Sequence, residues 1–472
     1  MADVVVVGSG CAGLAATVSA AEAGAHVLVL EKTDRIGGAI HGGAGLFAVE
    51  SAMQRDRQIA LTRDDAFHLL MEHAQWRTDA RVVSAYIDQS AATIDWLAGL
   101  GVRFSDVVAY YTGAQPTWHF REHDSPEITA VLADRARKLG AEFRVQTPAR
   151  RLITDEAGAV TGVEHDSGSL DAAAVVIATG GFGGAPELIE RYTGYRHGED
   201  LFSFAFGELT GDGLDLAWAA GAARSPMMME TYVCLPEPYW GPGGTPPDLG
   251  SFRQPNLMVN QLGTRFMDES VMRHPGYAAN AVHRQPGGYG YMILTDAIDE
   301  IYARDRWDFL MSKLPVTRPE NFAARVDKAI ADDFGHIFRA PTPGELARQL
   351  GIEPRRFVKT VGEYNDYCRN GRDTVLHKPA RYLRELTGST WYAARFYAGG
   401  YGSLGGIAIN HHFEIVRDDG TPVPGLFGAG RDVNAIYGGT YPFIVSGNST
   451  SFSYNSGRIA GRNAAGRVCR ES

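Results

Sequence analysis

Cysteine is scarce in this chain: four residues in 472, Cys11, Cys234, Cys368 and Cys469, widely scattered. None stands in a C-x-x-C, C-x-x-C-H or iron–sulfur spacing, so disulfides, attached haem and clusters all lack their ligands. Basic runs are missing as well. With 45 Lys and Arg against 55 Asp and Glu the net charge is −10, and no stripe of cations offers a phosphate-binding surface. Nucleic acid is thereby excluded as an expected partner. No apolar stretch approaches a membrane span, and the chain opens on ADVVVVGSG with no signal-peptide h-region, so a soluble, cytoplasmic protein is expected. There is no internal repeat. The length exceeds what one hydrophobic core usually fills, which makes two domains the expectation.

What the chain does have is glycine in particular places. DVVVVGSGCAGLAATVSAAEAGAHVLVLEK reads as a buried parallel strand, a glycine turn, a helix ending near Gly24 and a second strand ending at Glu31. In that βαβ unit Gly8 allows the tight turn, Gly10 lets the backbone approach a pyrophosphate, and Gly13 lets helix and strand pack closely. Glu31 follows at the interval from which a carboxylate accepts ribose hydroxyls. A second glycine-dense loop, DRIGGAIHGGAGLFA at residues 34 to 48, comes where nicotinamide dehydrogenases continue into their next helix. It contains Gly37, Gly38, Gly43 and Gly45 and suits the longer, bent cofactor FAD. DAAAVVIATGGFGG, with Thr179 and Gly180, is a strand of small apolar residues ending where backbone can pass a cofactor. GLFGAGRDVN, with Gly430 and Asp432, repeats that arrangement near the C-terminus. In SGNSTSFSYNSGRIAG, Gly447 precedes a helix start at which Asn448, Ser449 and Thr450 are candidate caps, and whose free N–H groups could face a reduced isoalloxazine.

These segments, together with TGDGLDLAWAAGA, NLMVNQLGTRFMDE and GELARQLGIEPRRFVKTVGEYNDYC, resemble the flavoprotein subunits of fumarate reductase and succinate dehydrogenase, with the 3-ketosteroid dehydrogenases as cousins. The resemblance spans nearly the whole chain. It implies an α/β fold with an α+β cap: a Rossmann-like FAD-binding domain, residues 1–224 and 403–472, split by an inserted capping domain at 225–402. It also adds Ala12, Lys32, Ala149 and Asp212 to the cofactor set. Covalent members attach flavin through a histidine, but Gly38 falls at that position here; non-covalent FAD is expected, with His41 a loop residue. On the residues alone, SPEITAVLADRARKLG reads as a helix capped by Ser125, with Pro126 in its first turn and Gly140 closing it. The segment PEPYWGPGGTPPDLGSFRQPN, residues 236 to 256, reads as irregular loop.

In fumarate reductases the arginine a few residues beyond N-x-x-G-x-R-F-x-x-E protonates the substrate carbon. Counting from Asn260, Gly263, Arg265, Phe266 and Glu269 places Arg273 there. An arginine is a weak acid, and one alternative is a permanent cation that binds a carboxylate or pairs with Asp268. The other is a proton donor: the carbanion left by hydride addition is a strong base, and a nearby cation stabilises it before any proton moves. The resemblance also implies a relay to that arginine; Arg253 stands near the right spacing, without the family's glutamate.

The dicarboxylate clamps of fumarate reductases are absent. Their positions hold Tyr401 with Gly402, Tyr232 with Val233, and Ile444. A neutral, apolar or aromatic small-molecule substrate is therefore expected rather than fumarate. Tyr441, in GGTYPF, matches the ketosteroid enzymes' carbonyl-binding tyrosine, the alternative being an aromatic wall of the pocket; Tyr111, Trp118 and His119 read first as surface or core aromatics, with a place in the pocket as the alternative. The leading expectation is an ene-reductase acting on a carbonyl-activated carbon–carbon bond. The alternatives are a ketosteroid-type desaturase and, from another class, a flavin electron carrier. With no haem or cluster ligands, an external electron donor or acceptor is required.

Overall fold

Val4 to Val7 put apolar side chains on both faces of one strand, and all four are 5% exposed or less. Such a run belongs inside a parallel sheet covered on both sides. The computed structural model, which describes residues 2–39, 45–111, 113–203, 207–236, 247–304, 307–309 and 321–471, places it there. The strand Ala2–Val7 pairs in parallel with Val27–Leu30 on one side and Gly168–Ile177 on the other. Glu142–Arg144 extends the sheet beyond Val27–Leu30. Beyond Gly168–Ile177 come Pro422–Gly428 and Glu414–Val416, so the far edge of an N-terminal sheet is built from the C-terminal part of the chain.

A second sheet occupies the intervening sequence. Its spine is the strand Trp391–Leu404, flanked by Tyr289–Thr295, Met228–Cys234, Ile337–Ala340 and Leu201–Ser203. Three short strands, Gly45–Phe47, Phe104–Val108 and Trp118–Arg121, form a small third sheet. The architecture is the expected one: a Rossmann-like α/β domain interrupted by an inserted cap.

Small residues set how closely the first and last helices cross. Cys11–Glu22 is rich in alanine, and Asn448–Glu471 lies against it. A Cβ on Gly457 would collide with the carbonyl oxygen of Ala12, and one on Gly461, a turn later, with that of Ala16. The glycines of the last helix are therefore packing devices, a role the sequence reading did not assign them.

One helix begins later than expected. Ile128–Lys138 starts beyond Ser125 and Pro126 and has no side-chain cap, because the Ser125 hydroxyl accepts from the Arg103 N–H at 2.9 Å. In the stretch read as loop, Pro247–Arg253 forms a 3₁₀ helix; residues 237–246 lie outside the described residues. Among the described residues, no helix is long and apolar enough to cross a membrane.

Candidate active site

The helix Cys11–Glu22 starts at Gly10 with no side-chain cap, so its first N–H groups are free for an anion. They open onto a cavity of about 1160 Å³, counting the part open to solvent. Gly8, Gly10 and Ala12 line it from the first turn, Glu31 and Lys32 from the end of the second strand, and Gly38 from the following loop. Ala149, Thr179, Gly180, Asp212 and Gly430 close the opposite side. The glycines are needed as such: Gly8 has φ +101, and a Cβ there would strike the Ala178 carbonyl. A Cβ on Gly38 would come within 2.7 Å of Gly10 Cα.

Glu31 is buried and fully engaged. One carboxylate oxygen accepts from the N–H and hydroxyl of Ser9, at 3.0 and 2.7 Å, and the other from those of Thr33, at 2.8 and 2.9 Å. Lys32 is ion-paired with Asp212 at 2.6 Å. An acid held at the strand end, an uncapped helix start and a glycine-lined cleft fit an adenine dinucleotide.

Other expected cofactor residues stand behind this wall. Gly13 packs helix on strand, since a Cβ would overlap the Gly8 carbonyl. The N–H of Gly37 donates to the Ser9 carbonyl at 3.1 Å, and Gly45 lies against the backbone of His119. The buried Asp432 carboxylate accepts from the N–H groups of Thr179, Gly180 and Gly181, at 2.6, 3.0 and 2.9 Å, and so clasps the turn after Gly168–Ile177. Gly447, at φ +84, presses on Phe47. Asn448, Ser449 and Thr450 do open the last helix, but the Asn448 side chain is committed to Tyr86 and to the Val445 carbonyl, and the buried Ser449 hydroxyl has no partner. Gly43 and His41 lie outside the described residues. Arg431 and Ser453, which the sequence did not single out, also line the cavity, as does Tyr401, which was expected at the substrate rather than the cofactor.

The two arginines of TRFMDESVMR have separate work. Arg265 is buried and paired with Glu269 and Asp373, each at 2.9 Å, and Lys378 reaches Glu269 at 3.3 Å from the other side. Two cations and two acids thus balance in the interior. Asp268 is occupied by Ser270, whose N–H and hydroxyl it accepts at 2.8 and 2.6 Å. Arg273 is exposed and, among the described residues, has neither an ion pair nor a hydrogen-bond partner. The pairing with Asp268 is not formed.

Aromatic rings pack around the next residue, His274. Burial pushes the Tyr111 phenol up to about 12, with Arg273 acting against it. The His274 ring meets Tyr111 and Phe443 edge-on, each at 5.8 Å between centroids. Phe443 packs on Tyr110 and Tyr441, each at 4.9 Å. Tyr232 and Tyr401 stack at 4.3 Å between centroids. Burial raises the phenols of Tyr110 and Tyr232, and the Arg253 cation opposes it in both. Arg253 has no direct bond to Arg273 among the described residues. Tyr441 is buried, and its hydroxyl oxygen accepts the Ser449 N–H at 3.0 Å. His119 is a core residue, bonded to Ser51 at 2.6 Å, and burial holds it at about 4. Trp118 packs on Tyr110 and Phe120.

Residues 3–449 match the FAD binding domain family. The chain is 33% identical over 478 residues to a vinyl phenol reductase of Lactiplantibacillus plantarum, covering 98% of this chain and 96% of that one. It is 28% identical over 473 residues to a cytochrome-type fumarate reductase of Shewanella frigidimarina, covering 98% and 77%. Among solved structures it is similar to the 3-ketosteroid-Δ4-(5α)-dehydrogenase of Rhodococcus jostii RHA1 in complex with 4-androstene-3,17-dione. That likeness has a TM-score of 0.77 at 25% identity, over 98% of this chain and 96% of that one.

Proposed function

This chain belongs to the FAD binding domain family and is an FAD-dependent oxidoreductase of carbon–carbon bonds, and from that premise we propose that it reduces a double bond conjugated to a neutral aromatic ring or carbonyl, with vinyl phenols foremost. The carrying observation is Arg273: a cation without an acid partner among the described residues, next to the cluster of tyrosine and phenylalanine rings around His274. A dicarboxylate would need a cation or donor at each end, since an unpaired buried carboxylate is costly, whereas an aromatic substrate gains from the rings. The name of the vinyl phenol reductase relative points to the same class.

When bound, non-covalently, FAD supplies a hydride to one carbon of the double bond, or accepts one in the reverse direction. The Gly8–Gly13 turn and the start of its helix would hold the pyrophosphate, and Glu31 would fix Ser9 and Thr33 beside it. Arg273 gives a proton to the other carbon and stabilises negative charge on it as it develops. Arg253, behind Tyr110, is proposed to restore that proton. The capping domain, proposed to run from 225 to 402, supplies Arg253 and Arg273 with Tyr232, His274 and Tyr401, and residues 1–224 and 403–472 supply Tyr110, Tyr111, Tyr441 and Phe443. An external donor outside this chain provides the electrons.

The test is anaerobic: photoreduced enzyme is mixed with 4-vinylphenol, cyclohexenone or fumarate, and the return of flavin absorbance is followed. Rapid return with 4-vinylphenol and none with fumarate is expected; return with fumarate alone would refute the reading. A second reading, a desaturase of cyclic ketones, draws on the Tyr441 hydroxyl, whose own proton has no acceptor among the described residues. It requires reduction of the oxidised enzyme by a saturated ketone, and a larger loss from Tyr441→Phe than from Arg273→Ala.

A further inference from the structure

Nε2 of His274 takes no part in that proton transfer. His274 is 5% exposed, and its Nε2 is sealed from solvent with no hydrogen-bond partner among the described residues. Its other nitrogen is spoken for: Nδ1 accepts the Tyr277 N–H at 3.3 Å and so caps the helix Pro275–His283. Burial, then the neighbouring His73, then Arg273 pull the ring down to about 3, so it is neutral at working pH. A neutral imidazole whose Nδ1 accepts carries its proton on Nε2. Nε2 is therefore a buried N–H donor lacking an acceptor, a feature that native interiors rarely tolerate without a reason.

The surroundings point to a ligand. One face of the ring lies on Tyr277 at 3.5 Å, while Tyr111 and Phe443 approach edge-on from other parts of the chain. Tyr277 in turn hydrogen-bonds His73 at 3.0 Å, and His73 bonds the Thr440 carbonyl at 2.6 Å, which fixes the ring's orientation. Arg273 is the preceding residue. A donor this rigid, set among apolar edges next to the free cation, suits a substrate atom that accepts a hydrogen bond.

We propose that His274 is a specificity-determining residue: its Nε2–H donates to an oxygen carried by the substrate, the ring hydroxyl in the vinyl phenol class, and so fixes which end of the molecule lies beside Arg273. This rests on the reductase reading. It makes the oxygen a recognition element, so a vinyl arene without one is discriminated against even though its double bond is the same.

Two variants separate recognition from capping. His274→Asn keeps an acceptor near the Nδ1 position but has no donor at Nε2; His274→Gln places an amide N–H near the Nε2 position and gives up the cap. Binding of 4-ethylphenol and of ethylbenzene to the oxidised holoenzyme is read from the perturbation of flavin absorbance, alongside Tm. The wild type is expected to favour 4-ethylphenol by roughly tenfold or more, the margin of one hydrogen bond that would otherwise leave a buried donor unpaired. His274→Asn should lose that margin at nearly unchanged Tm, and His274→Gln should keep most of it at lowered Tm. A wild-type margin retained in His274→Asn, or a margin that falls with Tm in both variants, would overturn the proposal. If the wild type binds neither arene, the vinyl phenol reading fails by itself; cyclohexanone against cyclohexane then judges His274 by the same criteria.

Discussion

The N–H of Ser449, in the first turn of the C-terminal helix, donates to the hydroxyl oxygen of Tyr441 across 3.0 Å. A phenol that accepts there keeps its own proton to give, and the positive end of the helix strengthens the gift. Burial above all holds the Tyr441 phenol well above its ordinary range, so it is protonated wherever the enzyme works. Tyr441→Phe is therefore expected to lower kcat/KM about tenfold for a cyclic enone, whose carbonyl takes that proton, and to alter it little for 4-vinylphenol. Steady-state kinetics with both substrates check this.

Acid should weaken the fold as its buried histidines are forced to take up protons. His119 and His274 are buried, and burial depresses them to about 4 and about 3, while in the unfolded chain both titrate near 6.5. Between those values the unfolded state binds more protons, so stability is present above about pH 6.5 and is lost as pH falls. Each histidine contributes at most about 1.4 kcal/mol per pH unit. Urea unfolding from pH 7.5 to 4.5 should show the decline, and His119→Gln should flatten it by one proton's worth.

Gly461 and Gly466 lie five residues apart on one helix and should respond oppositely to alanine. A methyl at Gly461 meets the Ala16 carbonyl, and at Gly466 it meets nothing within 4 Å. Gly461→Ala should cost about 1–3 kcal/mol by forcing the helices apart, and Gly466→Ala should be neutral or stabilise by up to about 1 kcal/mol. Thermal unfolding of the two variants gives the comparison.

Glu31 holds four donors from Ser9 and Thr33 at the mouth of the cofactor cavity. Glu31→Gln removes the charge and turns half of an all-acceptor group into a donor facing other donors. FAD affinity should fall about tenfold or more, read as free flavin fluorescence on dilution.

The cofactor half of this arrangement was legible because its signals are local: a valine run, three glycines and an acid within one βαβ unit. Counting along one motif singled out Arg273, whose role is a proposal. What was hidden depends on partners far away in sequence. Asp432 could be placed near the cofactor, but not as the clasp on Thr179 to Gly181, some 250 residues earlier. Arg265 and Arg273 differ in role because Asp373, 108 residues beyond Arg265, takes one of them. Ser125 resembled a helix cap until a backbone amide from Arg103 competed for its hydroxyl. The orphaned nitrogen of His274 has no sequence signature at all, since it is defined by what three other segments fail to offer it.

The most direct measurement concerns Arg273. Wild-type enzyme and Arg273→Ala, both loaded with FAD and photoreduced without oxygen, are mixed with 4-vinylphenol, and flavin reoxidation is followed in a single turnover. A loss of at least about 100-fold in the variant, with the flavin still bound and still reoxidised by oxygen, is the result expected of a proton donor. Equal rates in the two proteins would contradict that role and leave Arg273 an exposed charge beside the site.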